Sequence, residues 1–283
     1  MLRGRLGWEK ITPEGGGGDG LLHYTRNDKV KFGAGQSKLY GFIYTDYPCY
    51  YLYTMESPDR QELFDYYDAR AQEYEEFYDG TTSRKIFAPA LIREEVDNLK
   101  KLLHDYVKGR CIDIACGTGF WLPVYEKSCA SITLIDQSEN VLNECCRKIK
   151  DLKIEHKTKM FCGDIFSYPY APQAYDSAVI AFLISHLTDD ELDSLISGLK
   201  TLLAPDGRFV FMDNAWNQVI ANIPREKTGI VTRTLKDGRQ YRILKRYFEK
   251  QDFYSLADKH NLNREIIYWG NVFFMAIGYF GVR

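Results

Sequence analysis

Between Gly109 and Asn214, short runs rich in valine, isoleucine and phenylalanine alternate with stretches of helical periodicity, and this alternation limits the possible folds more than any other feature. The apolar runs are "GRCIDIA", "SITLID", "KMFCGD", "YDSAVIAF" and "GRFVFMDN"; the helical ones are "GFWLPVYEK", "SENVLNECCRKIK" and "DDELDSLISGLKTLL". Strands of this kind joined through helices build a parallel sheet with helices on both faces. Beyond Asp213 the alternation stops. "GIVTRTLKDGRQYRILKRYF" reads as a hairpin turning at Asp237-Gly238, "KQDFYSLADKH" as a helix, and "REIIYW" and "NVFFMAIGYF" as two strands. The link around Gly270-Asn271 is too short for a parallel crossover, so the last two strands are expected to be antiparallel neighbours. The fold class is thus α/β: a doubly wound, mostly parallel seven-stranded sheet with one antiparallel strand near the C-terminus.

Upstream, Leu63, Tyr66, Tyr67, Ala71, Tyr74, Phe77 and Tyr78 recur three or four apart, which predicts one helix with an aromatic face. "FAPALIREEVDNLKKLLHDYV" predicts a second amphipathic helix. Residues 1–57 differ in composition, with "GGGGDG", "GAG" and the aromatic run "LYGFIYTDYPCYYLYT". Such glycine density raises the entropy cost of ordering, so this segment reads as an appended, poorly ordered extension in which the aromatic run could add a hairpin. "MESPDRQELFDYY" resembles a natural start, with Ser57 as a helix cap and Pro58 at the first helical position. Residues 58–283 then form one domain carrying a late hairpin insertion at about 229–247.

At 283 residues the chain can bury one sizeable core. No apolar run approaches the roughly 20 residues that cross a bilayer, and the start of the chain breaks up too early to form a secretory signal. Seven cysteines without paired spacing suit reduced thiols in the cytoplasm, with neither a disulfide frame nor a metal site. The formal charge of -2 gives no overall attraction to nucleic acid or anionic lipid.

The loop "CIDIACGTGF" follows the first strand, where open α/β sheets bind ligands. Gly117 and Gly119 bare the backbone for close approach. The third position after Gly119 is Leu122, which departs from the glycine pattern of pyrophosphate sites, and no G-K-[ST] follows. The ligand implied is nucleoside-like without phosphates. Asp113 precedes the loop, Asp136 ends the second strand and Asp164 ends the third. Carboxylates there can take a cationic group, the ribose hydroxyls and an exocyclic amine respectively, a set that suits adenosine with a cationic amino-acid tail.

On these motifs residues 58–283 resemble a class I S-adenosylmethionine-dependent methyltransferase, with the Rossmann-like fold of that family. "DIACGTG" is similar to its first motif, "LIDQS" to the ribose-binding motif, "CGDIF" to the adenine-binding motif, and "YDSAVIAFLISHL" and "LLAPDGRFVFMD" to its fourth strand and the turn into its fifth. "YYDARAQEYEEFY" is similar to the helix that lids the cofactor in members acting on small molecules. The resemblance implies S-adenosyl-L-methionine as cofactor. Asp113 and the backbone of Ala115, Gly117 and Gly119 would hold the methionyl part, Asp136 the ribose, Gln137 the adenine face, and Asp164 with the Ile165 N–H the adenine edge. Ala181 and Phe182 would face the sulfonium, and Tyr67 and Tyr74 would cap it.

Methyl transfer asks for alignment and, for a hydroxyl or ammonium acceptor, removal of a proton. His186 in "LISHL" and Asp213 at the end of the fifth strand are the candidate bases. Arg233, Arg239, Arg242 and Lys245 on the late hairpin could grip an acidic acceptor, but alternating basic residues on an exposed hairpin read first as solvated edge protection. A nucleic-acid acceptor is disfavoured, because Ala181-Phe182-Leu183-Ile184 stands where base-amine methyltransferases carry an Asn- or Asp-Pro-Pro-aromatic motif. The reading is transfer to the oxygen or nitrogen of a small molecule by a monomer or homodimer that engages no membrane. A silent cofactor-binding subunit and a peptide or protein methyltransferase are its rivals.

Overall fold

The computed structural model describes residues 39–44, 47–52, 58–79, 88–217 and 226–281, the first two segments for their backbone alone. In chain order the strands are β1 (Leu39–Tyr44), β2 (Tyr47–Leu52), β3 (Gly109–Ile114), β4 (Cys129–Asp136), β5 (Thr158–Cys162), β6 (Tyr175–Ala181), β7 (Leu203–Asn214), β8 (Thr228–Thr234), β9 (Gln240–Arg246), β10 (Asn263–Trp269) and β11 (Phe273–Tyr279). The helices are α1 (Pro58–Ala69), α2 (Pro89–Tyr106), α3 (Leu122–Tyr125), α4 (Glu139–Leu152), α5 (Asp189–Leu202) and α6 (Lys250–Lys259).

Seven strands form one sheet in the order β10-β11-β7-β6-β3-β4-β5. The β7-β6, β6-β3, β3-β4 and β4-β5 pairs are parallel, whereas β11 runs antiparallel to both of its neighbours. The seven-stranded sheet with one reversed strand is as expected. Strand order reverses between β3 and β6, and the carboxyl ends of these two strands open at that switch point. Alternate residues of each central strand enter opposite layers of core: Cys111 and Val179 lie with α2 and α4, Ile112 and Ile180 with α5 and α6.

Local chemistry sets the helix ends. The Ser138 hydroxyl accepts from the Val141 N–H at the start of α4, and Thr188 and Glu191 form a reciprocal capping box on α5. The Glu95 carboxylate, buried on α2, accepts the N–H groups of Asn271, Val272 and Phe273 and so fixes the β10–β11 turn.

The first helix departs from expectation. The aromatic spacing predicted one continuous helix, but α1 ends at Ala69 and single 3-10 turns follow at Ala71–Glu73 and Glu75–Phe77. Arg70 turns the chain back, its guanidinium donating to the Tyr66 hydroxyl and the Tyr74 carbonyl. Tertiary contacts hold the bend: Glu75 accepts from Thr118 in the glycine loop and from Lys148 on α4, both at 2.5 Å. The helix foreseen after the loop shrinks to the single turn of α3.

The hairpin β8–β9 packs on α1 through a small core of Tyr66, Leu235 and Ile243, and Glu62 accepts the Arg242 N–H. Of residues 1–57, the described part is the antiparallel pair β1–β2. The expectation of poor order there, and the Ser57 cap, lie outside the described residues. No helix among the described residues is long and apolar enough to cross a membrane.

Candidate active site

The loop after β3 reverses direction through left-handed conformations at Ala115, Gly117 and Gly119, with φ of 59°, 56° and 70°. Ala115 and Phe182, at the carboxyl ends of the adjacent strands β3 and β6, are non-glycine residues in this region, a conformation that costs about 1–3 kcal/mol and clusters at functional sites. The loop is tied to β4 by the Cys116 N–H on the Ile135 carbonyl at 2.9 Å. Asp136 secures it further, accepting Gly117 N–H at 2.8 Å through Oδ2 and Ser138 N–H at 3.0 Å through Oδ1. Burial raises the pKa of Asp136 above the usual carboxylate value, against the pull of those N–H groups.

The two glycines do different work. A Cβ on Gly117 would stand 3.4 Å from the Tyr74 ring, while one on Gly119 would meet Cys145 Sγ on α4 at 2.7 Å. Gly119 therefore admits a helix, and Gly117 faces the lid.

Asp113 is buried at the end of β3 and accepts the Tyr125 hydroxyl at 2.6 Å through Oδ2. Its Oδ1 is buried with no hydrogen-bond partner among the described residues. Burial pushes this carboxyl up to about 7, overcoming the Tyr125 hydrogen bond, with the charge of Asp136 adding to the rise. A buried acceptor lacking a donor beside a glycine loop fits a cationic or N–H-bearing group.

Asp164 and Ile165 follow β5, both buried. Asp164 Oδ1 accepts the Phe166 N–H at 3.1 Å, Arg60 from α1 at 3.3 Å and Gln137 at 3.4 Å, and Oδ2 accepts the Ser167 hydroxyl at 2.9 Å. Gln137 and Asp164 are thus brought together. The start of α1 is pinned to them by Arg60, whose guanidinium also lies 4.6 Å from the centre of the Phe166 ring.

Over the loop lies an aromatic layer. Tyr67 and Tyr74 stand 6.0 Å apart between ring centres, and Tyr78 stacks on Phe120 at 4.5 Å and lies 5.3 Å from Phe182. Arg70 sits over the Tyr74 ring at 5.2 Å. Burial raises the phenols of both Tyr67 and Tyr74 well above their usual pKa, so each is a neutral donor.

His186 follows β6 in a short turn and is buried. Its Nδ1 lies 2.7 Å from the Leu244 carbonyl on β9, which can only accept, so the ring proton is on Nδ1. Nε2 then accepts the Tyr67 hydroxyl at 2.8 Å. Burial, reinforced by the charge of Lys245, holds the His186 pKa well below its usual value and keeps the imidazole neutral.

Asp213 is fully buried at the end of β7, and both oxygens are engaged: Oδ2 accepts Ser185 N–H at 2.9 Å and Oδ1 accepts Asn214 N–H at 2.7 Å. Lys245 Nζ reaches the Ser185 hydroxyl at 2.6 Å and lies 3.7 Å from Asp213 Oδ1. Burial lowers this lysine to about 8, against the opposing pull of Asp213.

The basic hairpin does not behave as edge protection throughout. Arg239 pairs with Asp237 in the turn, and Arg242 is exposed. Lys245 is buried, and Arg233 is partly buried on the same inward face as Val231, Tyr241 and Ile243. Ser185 and Arg70 join the site without having been foreseen as members of it, whereas Lys245, read from the sequence as one of the hairpin cations that could grip an acidic acceptor, is buried within it. The signal for Lys245 was its step of two from Tyr241 and Ile243.

Residues 111–207 match the family described as methyltransferase domain. A 70-residue stretch is 31% identical to an uncharacterized methyltransferase of Geobacillus kaustophilus (strain HTA426), covering 25% of this chain and 33% of that protein. A second stretch is 24% identical to the N-terminal Xaa-Pro-Lys N-methyltransferase 1-B of Xenopus laevis, covering 42% of this chain and 57% of that one. The matches therefore span about a third to somewhat over half of these relatives. The structure of a DhpI-SAH complex superposes with a TM-score of 0.63 at 22% identity, over 81% of this chain and all of that one, and shares the fold. Residues 111–207, which hold the glycine loop, thus match a methyltransferase domain, on a sheet that shares the fold of the DhpI-SAH complex.

Proposed function

We propose that the protein transfers a methyl group from S-adenosyl-L-methionine to an oxygen or nitrogen of a small molecule held between the glycine loop, α1 and the β8–β9 hairpin. The observation that carries this reading is the Asp113 carboxyl, buried beside the glycine loop with Oδ1 unpartnered among the described residues. It suits the ammonium of the cofactor's amino-acid end. Asp136 keeps lone pairs for the ribose hydroxyls while bracing Gly117, and Gln137 with Asp164 and Ile165 supports the adenine. Solved complexes of the similarly folded DhpI carry SAH and, in another case, SAM with HEP.

The cofactor supplies a sulfonium-bound methyl whose leaving group departs neutral. The remaining work belongs to the chain. Tyr74 and Tyr78 with Phe182 exclude water above the loop, and the Tyr67–His186 pair stands where the acceptor's proton has to go. His186 is neutral with its lone pair on Nε2, so it can take the Tyr67 proton as Tyr67 takes the acceptor's. Asp213 acts as an anchor, holding Ser185 and Lys245 in place. The name of the Xenopus relative specifies an N-terminal peptide amine, which makes a peptide acceptor the second reading.

The test is production of S-adenosylhomocysteine from S-adenosylmethionine against pooled phenols, carboxylic acids, amines and an N-terminal peptide, for the wild type and His186→Ala. Turnover with one small-molecule class, lost in the variant, supports the proposal. Turnover with the peptide alone favours the second reading, and cofactor binding without any turnover points to a silent subunit.

A further inference from the structure

The acceptor side of the site has an excess of positive charge. On the inward face of the hairpin, Arg233 stands opposite Tyr241, and Lys245 stands opposite Gly229, four residues further along β9. Both charges bear on the His186 imidazole, and the Arg233 charge bears on Lys245 as well. Arg70, on the cofactor side, is a third cation nearby, held by the Tyr66 hydroxyl, the Tyr74 carbonyl and two ring faces. Against these, Asp213 is the one carboxylate among the described residues within 4.0 Å of Lys245, and none lies that close to Arg233. Both oxygens of Asp213 are already committed to backbone N–H groups. Burying more cations than counter-charges is costly, and a site that does so is complementary to an anion.

We propose that Arg233 and Lys245 bind an oxyanion of the methyl acceptor, a carboxylate or a phosphate-type group, so that the acceptor's reacting atom lies beside Tyr67. This names the substrate class for the reading above and rests on it. Lysine serves such a group as a point charge and arginine as a two-pronged donor. Arg70 belongs to the cofactor side, because it lies over Tyr74 and that ring covers Gly117.

The test titrates inorganic phosphate and acetate, at constant ionic strength, into the full chain with and without S-adenosylhomocysteine, for the wild type, Arg233→Gln, Lys245→Met and the exposed turn control Arg239→Gln. One anion is expected to bind the loaded wild type and the control alike, and about tenfold or more weakly to each inward variant. Thermal melting and retained S-adenosylhomocysteine affinity report that the variants are folded. Preference for acetate or for phosphate tells which oxyanion the acceptor bears. The proposal is overturned if neither anion binds, if the control loses binding as the inward variants do, or if S-adenosylhomocysteine displaces the anion, which would give these residues to the cofactor's own carboxylate. Anion binding that depends on Arg233 and Lys245 in a protein that fails to take S-adenosylhomocysteine would keep this site and sink the methyltransferase reading.

Discussion

The Tyr67 hydroxyl donates to His186 Nε2 at 2.8 Å, and the other ring nitrogen of His186 gives its proton to the Leu244 carbonyl. The only lone pair of the imidazole is thus spent on the tyrosine, and the two side chains act as one unit toward any acceptor. Tyr67→Phe and His186→Ala are expected to lower kcat by similar factors, about a hundredfold, with the double variant little worse than either. Single-turnover kinetics on the four proteins check this. Additive losses would show that the two residues act separately.

Lys245 gives a pH signature. Its folded pKa is lowered to about 8 by burial, while Asp213 raises it and Arg233 and Arg70 lower it further. The Ser185 hydroxyl and the Tyr247 ring complete its surroundings. Acceptor binding should weaken as pH rises through about 8, seen as a rising KM, while Lys245→Met loses that dependence. The sign for stability is opposite: the unfolded lysine holds its proton to higher pH, so the ligand-free wild type gains stability relative to Lys245→Met as pH climbs from about 8 toward the ordinary lysine value. Melting temperatures of both proteins over that range measure it.

Asp113 titrates in the other sense. A carboxyl raised to about 7 in the fold is protonated there while the unfolded chain has already ionised. Ligand-free stability therefore falls as pH rises from the ordinary carboxylate value to about 7 and then levels, and Asp113→Asn should flatten that slope. If Asp113 receives the cofactor's ammonium, S-adenosylhomocysteine binding strengthens as pH passes about 7 in the wild type and stays weak and level in the variant. Calorimetric titration across that window reads both.

Gly119→Ala should destabilise the protein by about 1–3 kcal/mol, because the new Cβ meets Cys145 Sγ and the backbone φ of 70° disfavours any side chain. Pairing it with Cys145→Ala removes the clash and leaves the backbone cost. A double-mutant cycle from thermal melting should show partial rescue.

The sheet was legible because its signals are local. Alternating apolar runs, a bare glycine loop and acidic residues at the ends of β3, β4 and β5 are properties of short segments. What escaped depends on partners distant in sequence. The spacing from Leu63 to Tyr78 satisfies a helix, yet Glu75 is drawn to Thr118 and Lys148, and the chain bends at Arg70. On the hairpin, the step of two from Tyr241 and Ile243 to Lys245 marked one face, but that this face is the covered one depends on α1, which packs on it. Gly119 resembles a ligand-contacting glycine until Cys145 of α4 arrives beside it.

The most direct measurement is calorimetric titration of S-adenosylhomocysteine into the full chain and into Asp136→Ala. Saturable binding at one site per chain is expected in the wild type, with a loss of about tenfold or more in the variant, whose missing carboxylate braces Gly117 and, in the proposed site, meets the ribose. Absence of binding to the folded wild type, or equal affinity in the two proteins, would contradict it.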